Sequence, residues 1–132
     1  MSRGNTRMKD TKLSDDAVVI QHHGEFIIIE ISSVIESLDH SAGAILADIV
    51  LAPVRAAEHP MLIIDLANVE LFGSMFLTVL MRSWKSCVTR GGMMVLCGVS
   101  DRVRELLSIV RLDRLWPIYA TRGEAMSALS SD

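Results

Sequence analysis

The sequence predicts a single-domain α/β fold with a mixed central sheet, in the element order β-β-α-β-α-β-α-β-α. Two nearly continuous apolar runs, 61–66 and 93–97, are typical of parallel strands that are covered on both faces. The stretch between them has its apolar residues at helical spacing, so the three segments form a βαβ unit. Two β-branched runs earlier in the chain add a hairpin, which makes the sheet mixed.

The first part of the chain is polar, of mixed charge and without hydrophobic period. We therefore expect residues 1–15 to form a flexible arm and residues 16–132 to form the folded domain. The hairpin that follows is predicted to join strands over 17–20 and 26–31. Gly24, between these strands, suits a tight turn.

The first predicted helix follows the hairpin and ends near a proline. Apolar residues recur at helical spacing from Ala42 to Val54, and Asp39 and Ser41 are both available to cap the start. Pro53 cannot donate a backbone hydrogen bond to the carbonyl of Ile49. We expect the helix to kink or restart within a turn of that proline.

The second predicted helix connects the two buried strands. It should begin within two residues of Ser74 and end at Gly91-Gly92, which reads as a helix C-cap. Its apolar stripe comprises Leu77, Leu80, Met81, Trp84 and Val88. The first four of these residues are expected to be buried against the sheet.

The last three elements are shorter. Ser100 can cap a third helix, and residues 115–119 are expected to form a short strand. Pro117 favours the edge of the sheet for that strand. Thr121 and Glu124 have the spacing of a capping box, which predicts a terminal helix after them.

Composition excludes several classes of function. The 132 residues include 13 basic and 16 acidic side chains, a net charge of -3, which gives no overall field for gathering nucleic acid. Charged residues interrupt every apolar run before the ~18 residues that a membrane helix needs. No secretory signal can be drawn at the start, so we expect a cytoplasmic protein with neither nucleic acid nor membrane as partner.

The histidines and cysteines do not form a recognisable site. His22 and His23 are neighbours on a strand, so their side chains point to opposite faces and cannot chelate one ion together. One of them is expected in solvent and the other packed against the sheet. Cys87 and Cys97 lack metal-site spacing and are expected to be reduced, mostly buried thiols. We therefore predict no metal site and no cofactor.

Ser74 is the residue that could carry a function. A hydrolase would need G-x-S-x-G around it, but Gly73 directly precedes Ser74 and Phe76 occupies the second glycine position. An enzyme using Ser74 or Cys97 would also lack a positioned His/Asp set, so no catalytic residue is predicted. Two interpretations stay open: the hydroxyl caps the second helix, or it accepts a phosphoryl group as a switch.

Several segments resemble a known family. They are 62–69 (LIIDLANV), Ser74, 90–96 (RGGMMVL), and 103–107 (VRELL) leading to 112–115 (LDRL). With these segments the chain, from about Ala17 to Leu129, resembles the STAS family, the domain of sulphate transporters and bacterial anti-sigma-factor antagonists. The resemblance implies a STAS-like fold and a regulatory, protein-binding module that is not itself a catalyst.

The resemblance also implies how such a module is controlled. Family members are typically phosphorylated on a serine or threonine at the start of the second helix, in the motif D-S-[ST]-G. Ser74 matches the acceptor, whereas Gly73, Met75 and Phe76 replace the other three positions. By this resemblance the partner is an anti-sigma factor or a kinase of the histidine-kinase-like type, and ATP belongs to that kinase.

The replaced positions make the start of the second helix apolar, and exposed apolar patches mark partner sites. The residues expected to meet a partner are Leu71, Phe72, Gly73, Ser74, Met75, Phe76 and, at the end of the third strand, Asp65. The alternative is a constitutive scaffold or assembly subunit, in which Ser74 only caps the helix and the apolar surface is a permanent interface.

Overall fold

The computed structural model describes residues 17–32, 36 and 38–130, so the arm expected over 1–15 lies outside the described residues. Five strands form one sheet in the order β1-β2-β3-β4-β5. β1 pairs antiparallel with β2, and the other pairs are parallel, which confirms the mixed sheet. The strands are β1 (Val18–His23), β2 (Phe26–Ile31), β3 (Met61–Asp65), β4 (Met93–Cys97) and β5 (Ile118–Tyr119).

In the part of the chain that the structure describes, four helices follow β2, β3, β4 and β5 in turn, as predicted. They are α1 (His40–Ala56), α2 (Ser74–Thr89), α3 (Asp101–Ile109) and α4 (Arg122–Ser130). The order β-β-α-β-α-β-α-β-α is therefore confirmed. Over the described ranges, none of the helices is both long and apolar enough to cross a membrane.

The sheet separates two cores of unequal size. On one face α1, α2 and α3 cover alternate strand residues such as Ile27 and Ile29. On the other face α4 covers a smaller set that includes Ile28 and Ile63. Because the central strands are covered on both faces, they read as unbroken apolar runs in the sequence.

The hairpin turn and the caps expected at Asp39, Ser100 and Thr121 are present. Gly24 has a φ of +64°, the left-handed conformation that a two-residue hairpin turn needs. Asp39 accepts a hydrogen bond from the Ala42 amide at 2.8 Å, and Ser100 caps α3 in the same way. Thr121 accepts the amide of Glu124 at 3.1 Å. These local bonds satisfy amides that have no partner within their own helix.

Pro53 does not make the first helix restart. α1 is a single helix that includes Pro53 and ends one turn later at Ala56. Leu51 and Val54, on either side of the proline, are both buried in the larger core. Burial of these side chains keeps the last turn helical despite the missing backbone donor.

The buried face of α2 differs from the predicted stripe. Its buried residues are Phe76, Val79, Leu80, Ser83 and Cys87, which keep helical spacing but start one residue before the predicted set. Leu80 is buried as expected, whereas Leu77 and Trp84 are half-buried and Met81 and Val88 are exposed. The polar Ser83 fits the buried face because its hydroxyl donates to the Val79 carbonyl at 2.7 Å.

Gly91 and Gly92 end α2 as the predicted C-cap. Gly91 has a φ of +77°, and the Gly92 amide donates to the Cys87 carbonyl at 2.8 Å. A Cβ on Gly92 would lie 1.9 Å from the Pro60 carbonyl oxygen. The second glycine is therefore required by close packing of two backbone segments.

Candidate functional site

Ser74 is the first residue of α2, and its side chain is exposed. The prediction that the helix starts here is confirmed. The interpretation of Ser74 as the capping residue is wrong, because Gly73 occupies the N-cap position in extended backbone and offers no side-chain acceptor. A capping hydroxyl must precede the first helical residue, and Ser74 lies one position too late.

The start of α2 is suited to a negatively charged group. Gly73 provides no capping side chain, and no acidic residue lies in the first turn. The positive end of the helix dipole and the unpaired amides of that turn are therefore left to solvent or to an added anion. The Ser74 carbonyl is already engaged, because Thr78 donates to it at 3.0 Å.

An apolar groove lies between the loop that precedes α2 and helix α3. It has a volume of about 280 Å³ and is lined by Leu71, Phe72, Arg102, Glu105, Leu106 and Ile109. Leu71 and Ile109 are 40% and 71% exposed. The sequence pattern identified Leu71 but missed Leu106 and Ile109, which come from a different helix.

The aromatic residues near Ser74 pack inward. Phe72 and Phe76 are both buried, with ring centroids 5.2 Å apart and planes tilted by 60°. Met75 is half-buried against α1, where a Cβ on Gly43 would come within 2.6 Å of its terminal methyl carbon. Among the residues expected to meet a partner, Leu71, Gly73 and Ser74 are the exposed ones.

Asp65, the remaining residue of that predicted set, is buried and paired. The Arg122 side chain donates to Asp65 Oδ2 from Nη2 at 2.7 Å and from Nε at 3.0 Å. Arg122 also donates to Glu30 Oε1 at 3.1 Å and to Gln21 Oε1 at 3.0 Å. These contacts tie the start of α4 to β1, β2 and β3, and they raise the pKa of Arg122, chiefly through Asp65.

The same carboxylates hold the loop that leads to Ser74. Asp65 Oδ1 accepts the Ala67 amide at 3.0 Å, and Glu30 Oε2 accepts the Asn68 side chain at 3.1 Å. Farther along, Glu36 accepts the amide of Glu70 at 2.8 Å. Polar contacts therefore hold Ala67, Asn68 and Glu70 of the loop that joins β3 to α2.

The cysteines and histidines of the described residues form no reactive centre. Cys87 and Cys97 are free and buried, as predicted, and burial raises the pKa of each thiol to about 12. Both thiols stay protonated near neutral pH and are poor nucleophiles. His22 and His23 are both exposed on β1, so the expectation that one packs against the sheet is wrong. Within the described ranges, no three His, Cys, Asp or Glu side chains are grouped to hold a metal ion.

Sequence comparison relates this chain to a known domain family. The family model described as the STAS domain matches residues 8–125. A curated relative, the anti-sigma F factor antagonist of Paenibacillus polymyxa, is 24% identical over 112 residues. That similarity covers 85% of this chain and 93% of the relative.

Solved structures of proteins described as anti-sigma factor antagonists have a similar fold. The anti-sigma-factor antagonist (STAS) domain protein from Planctomyces limnophilus is 32% identical, with a TM-score of 0.78, over 86% of this chain and 98% of that one. The anti-sigma factor antagonist SpoIIAA in its unphosphorylated form gives a TM-score of 0.74 at 16% identity, covering 88% and 98% of the two chains. The second likeness concerns the fold alone.

Proposed function

Because this chain belongs to the STAS domain family, we propose that it acts in the cytoplasm as an anti-sigma factor antagonist that phosphorylation of Ser74 switches off. Its similarity along most of its length to an anti-sigma F factor antagonist supports the role. The observation that supports the switch is the position of Ser74. It is exposed at the first residue of α2 and lies two residues after Phe72, which lines the apolar groove. The chain acts as a ligand and a protein substrate, and the partner kinase supplies ATP.

The groove is the proposed contact surface for the anti-sigma factor. Leu71 and Ile109 expose apolar surface there, and Arg102 and Glu105 border it with one charge of each sign. Interfaces commonly combine an apolar centre with a polar rim of this kind. Phe72 lines the groove but is largely buried, and the buried Phe76 packs against its ring, so these aromatic residues offer a partner little surface.

Phosphorylation at Ser74 would change binding without unfolding the domain. The phosphate adds about -1.5 to -2 charges, and at the free start of α2 it meets the helix dipole and unpaired amides. In a complex, the same group would have to lose water beside Leu71 or approach the acidic nucleotide site of a kinase. The complex is therefore weakened while the fold is preserved.

The test is a titration of four proteins against the partner that co-purifies with the unmodified chain. Wild type and Ser74→Ala should bind tightly, Ser74→Asp should bind more weakly, and the phosphoprotein should bind most weakly. Thr78→Ala is the matched control, because it removes an exposed hydroxyl one turn farther along α2 and should bind like wild type. Circular dichroism would confirm that all variants are folded.

A second pair of variants tests the surface. Ile109→Ser removes an exposed apolar side chain from the groove and should weaken binding about tenfold or more. Val88→Ser makes a comparable change at an exposed position of α2 outside the groove, and it should leave binding unchanged. Equal effects of the two changes would show that the groove is not the contact surface.

The constitutive scaffold is the second candidate function. It is favoured by the inward packing of Met75 and Phe76, since two of the three departures from D-S-[ST]-G serve the core and not recognition by a kinase. Equal affinities of wild type, both Ser74 variants and the phosphoprotein would eliminate the switch and favour the scaffold. Absence of phosphate from Ser74 in protein isolated from its own cells would point the same way.

A further inference from the structure

β1 forms the outer edge of the sheet, and within the described part of the chain no strand pairs with its outer side. Residues 19–23 are all exposed, including Val19 at 42% and Ile20 at 37%. Edge strands leave alternate backbone N–H and C=O groups unpaired, and proteins usually protect them with charged residues, proline or a bulge. The strand VVIQHH has no Lys, Arg, Asp, Glu or Pro, and its six pairs with β2 run without a bulge. β1 is therefore open to pairing with another extended segment.

A groove continues this edge at the end of β1. This β1 groove has a volume of about 470 Å³ and lies between the hairpin turn and the end of α1. His22 and Pro53 are among its lining residues. Ile20 lies two residues before His22 and is therefore on the same face of β1, whereas Val19 is on the opposite face. A segment paired with β1 would place one side chain beside Ile20 and, two residues along, another in the β1 groove.

The charge of the β1 groove indicates which side chain it accepts. Glu25 and Glu58 line it, are exposed, and have no ion pair or side-chain hydrogen bond with a described residue. No lysine or arginine is among the described residues that line it. The region around it has the same sign, because residues 17–73 include eight acidic side chains and one basic, a net charge of -7. The complementary side chain is a lysine or an arginine.

We propose that the β1 edge and the β1 groove bind an extended, basic segment of a partner protein. The segment adds a strand beside β1 through main-chain hydrogen bonds, a common mode of peptide recognition. It places an apolar residue against Ile20 and a lysine or arginine two positions away, near Glu25 and Glu58. A second copy of this chain fits less well, because two-fold pairing of β1 with itself would bring together two regions of charge -7.

Titration of the full chain with the capped peptide TKTVTKT, followed through the backbone amide chemical shifts of the protein, tests the proposal. The central valine has a lysine two residues away on either side, so the peptide matches the site whichever way it runs. The amides of residues 18–23 should shift and should exchange more slowly with solvent, because the peptide pairs with this edge. TETVTET, in which glutamate replaces lysine, should bind at least about tenfold more weakly.

Two single variants test the face of β1 that the peptide meets. Ile20→Thr removes the apolar contact and should weaken binding about fivefold or more. Val19→Thr is the matched control, because it makes a similar change at a similarly exposed position on the opposite face of the same strand. It should bind like wild type. Circular dichroism checks that both variants are folded.

Two double variants test the charges. Glu25→Gln/Glu58→Gln removes both carboxylates from the β1 groove and should weaken binding about fivefold or more. Glu105→Gln/Asp113→Asn is the matched control. It removes the same charge from exposed positions outside the β1 groove and should bind like wild type.

Four results would overturn the proposal. They are an absence of shifts at millimolar peptide, unchanged amide exchange in β1, equal effects of the site variants and their controls, and a dimer of the free chain that Ile20→Lys dissociates. The last would assign the edge to a second copy. Ser74→Asp should leave peptide binding unchanged, because Ser74 does not line the β1 groove. The outcome is thus independent of the proposed switch.

Discussion

Replacement of Arg122 by glutamine should destabilise the domain more than removing the charge of a fully exposed side chain does. Arg122 belongs to the first turn of α4, yet it contacts Asp65, Glu30 and Gln21 on three strands. The substitution removes both N–H donors from Asp65 Oδ2, and among the described residues the Ala67 amide is then the remaining donor to that carboxylate. It also frees the start of α4 from the sheet.

The expected magnitude follows from the exposure of the groups. Asp65 has a side chain only 11% exposed, so loss of its cation leaves a charge that is poorly hydrated. Arg122 and Glu30 keep 30% and 35% of their side-chain surface, which allows water to screen the rest of the network. A surface ion pair contributes about 0–1 kcal/mol, and breaking a buried pair costs about 3–5 kcal/mol. This pair is intermediate in exposure, so we expect the free energy of unfolding to fall by about 2 kcal/mol.

Urea denaturation of a double-mutant cycle measures this interaction. Arg122→Gln, Asp65→Asn and the double variant should show a coupling free energy of about 1–2 kcal/mol, because each single change leaves the other group unpaired. The coupling should shrink in 1 M salt, since the pair is partly exposed. Arg104→Gln, an exposed charge on α3, should change the free energy of unfolding by less than about 0.5 kcal/mol.

Hydrogen exchange provides a second readout. In Arg122→Gln, the amide of Ala67 should exchange faster, because its acceptor Asp65 is no longer held. The amide of Glu70, held by Glu36, should change less. A coupling free energy near zero, together with an unchanged exchange rate at Ala67, would refute the view that Arg122 fixes this loop.

Three further predictions concern stability. Leu80→Ala should cost about 2–5 kcal/mol in urea melts as a buried truncation, and a loss below about 0.5 would contradict its burial. Arg111 has a φ of 66° at the end of α3, a conformation that favours glycine, so Arg111→Gly should raise the free energy of unfolding by about 0.5–1 kcal/mol in the same melts. A destabilised variant would show that the φ of Arg111 carries no strain. Because the unfolded thiols of Cys87 and Cys97 ionise near 9.0 and the folded ones near 12, stability should fall as pH rises from 9 towards 12, by about 1.4 kcal/mol per thiol at pH 10. The Cys87→Ala/Cys97→Ala variant should lose less stability than wild type over that range, and identical pH profiles would refute the assignment.

The sequence predicted the fold well because its signals are local. Residues 61–64 are an unbroken apolar run. The end of α2 is marked by Gly91, in a conformation that other residues avoid, and by Gly92, where a Cβ would clash with Pro60. Capping residues such as Asp39 and Ser100 need only a donor three residues away. Each of these features is decided within a few residues, so composition and spacing are enough to find it.

Features that depend on packing between distant segments were missed or misplaced. The predicted α2 stripe begins one residue too late because Ser83 and Cys87 are not obviously apolar, although both are buried and the Ser83 hydroxyl is satisfied within the helix. Arg122 gave no signal, because its partner Asp65 is 57 residues away. Ile109 faces the proposed partner groove only because the fold brings α3 beside the loop that precedes α2.

The polar network and Ser74 lie at the two ends of one loop, and this placement bears on how a switch would work. Asp65 and Glu30 hold the loop through Ala67 and Asn68, and buried Phe72 anchors its far end just before the serine. A phosphate added to Ser74 in the proposed switch would therefore be attached next to backbone that these contacts hold, and we expect it to alter the surface charge without moving the loop. Regulation would act on the groove as an electrostatic and desolvation effect, with the free protein retaining one conformation in both states.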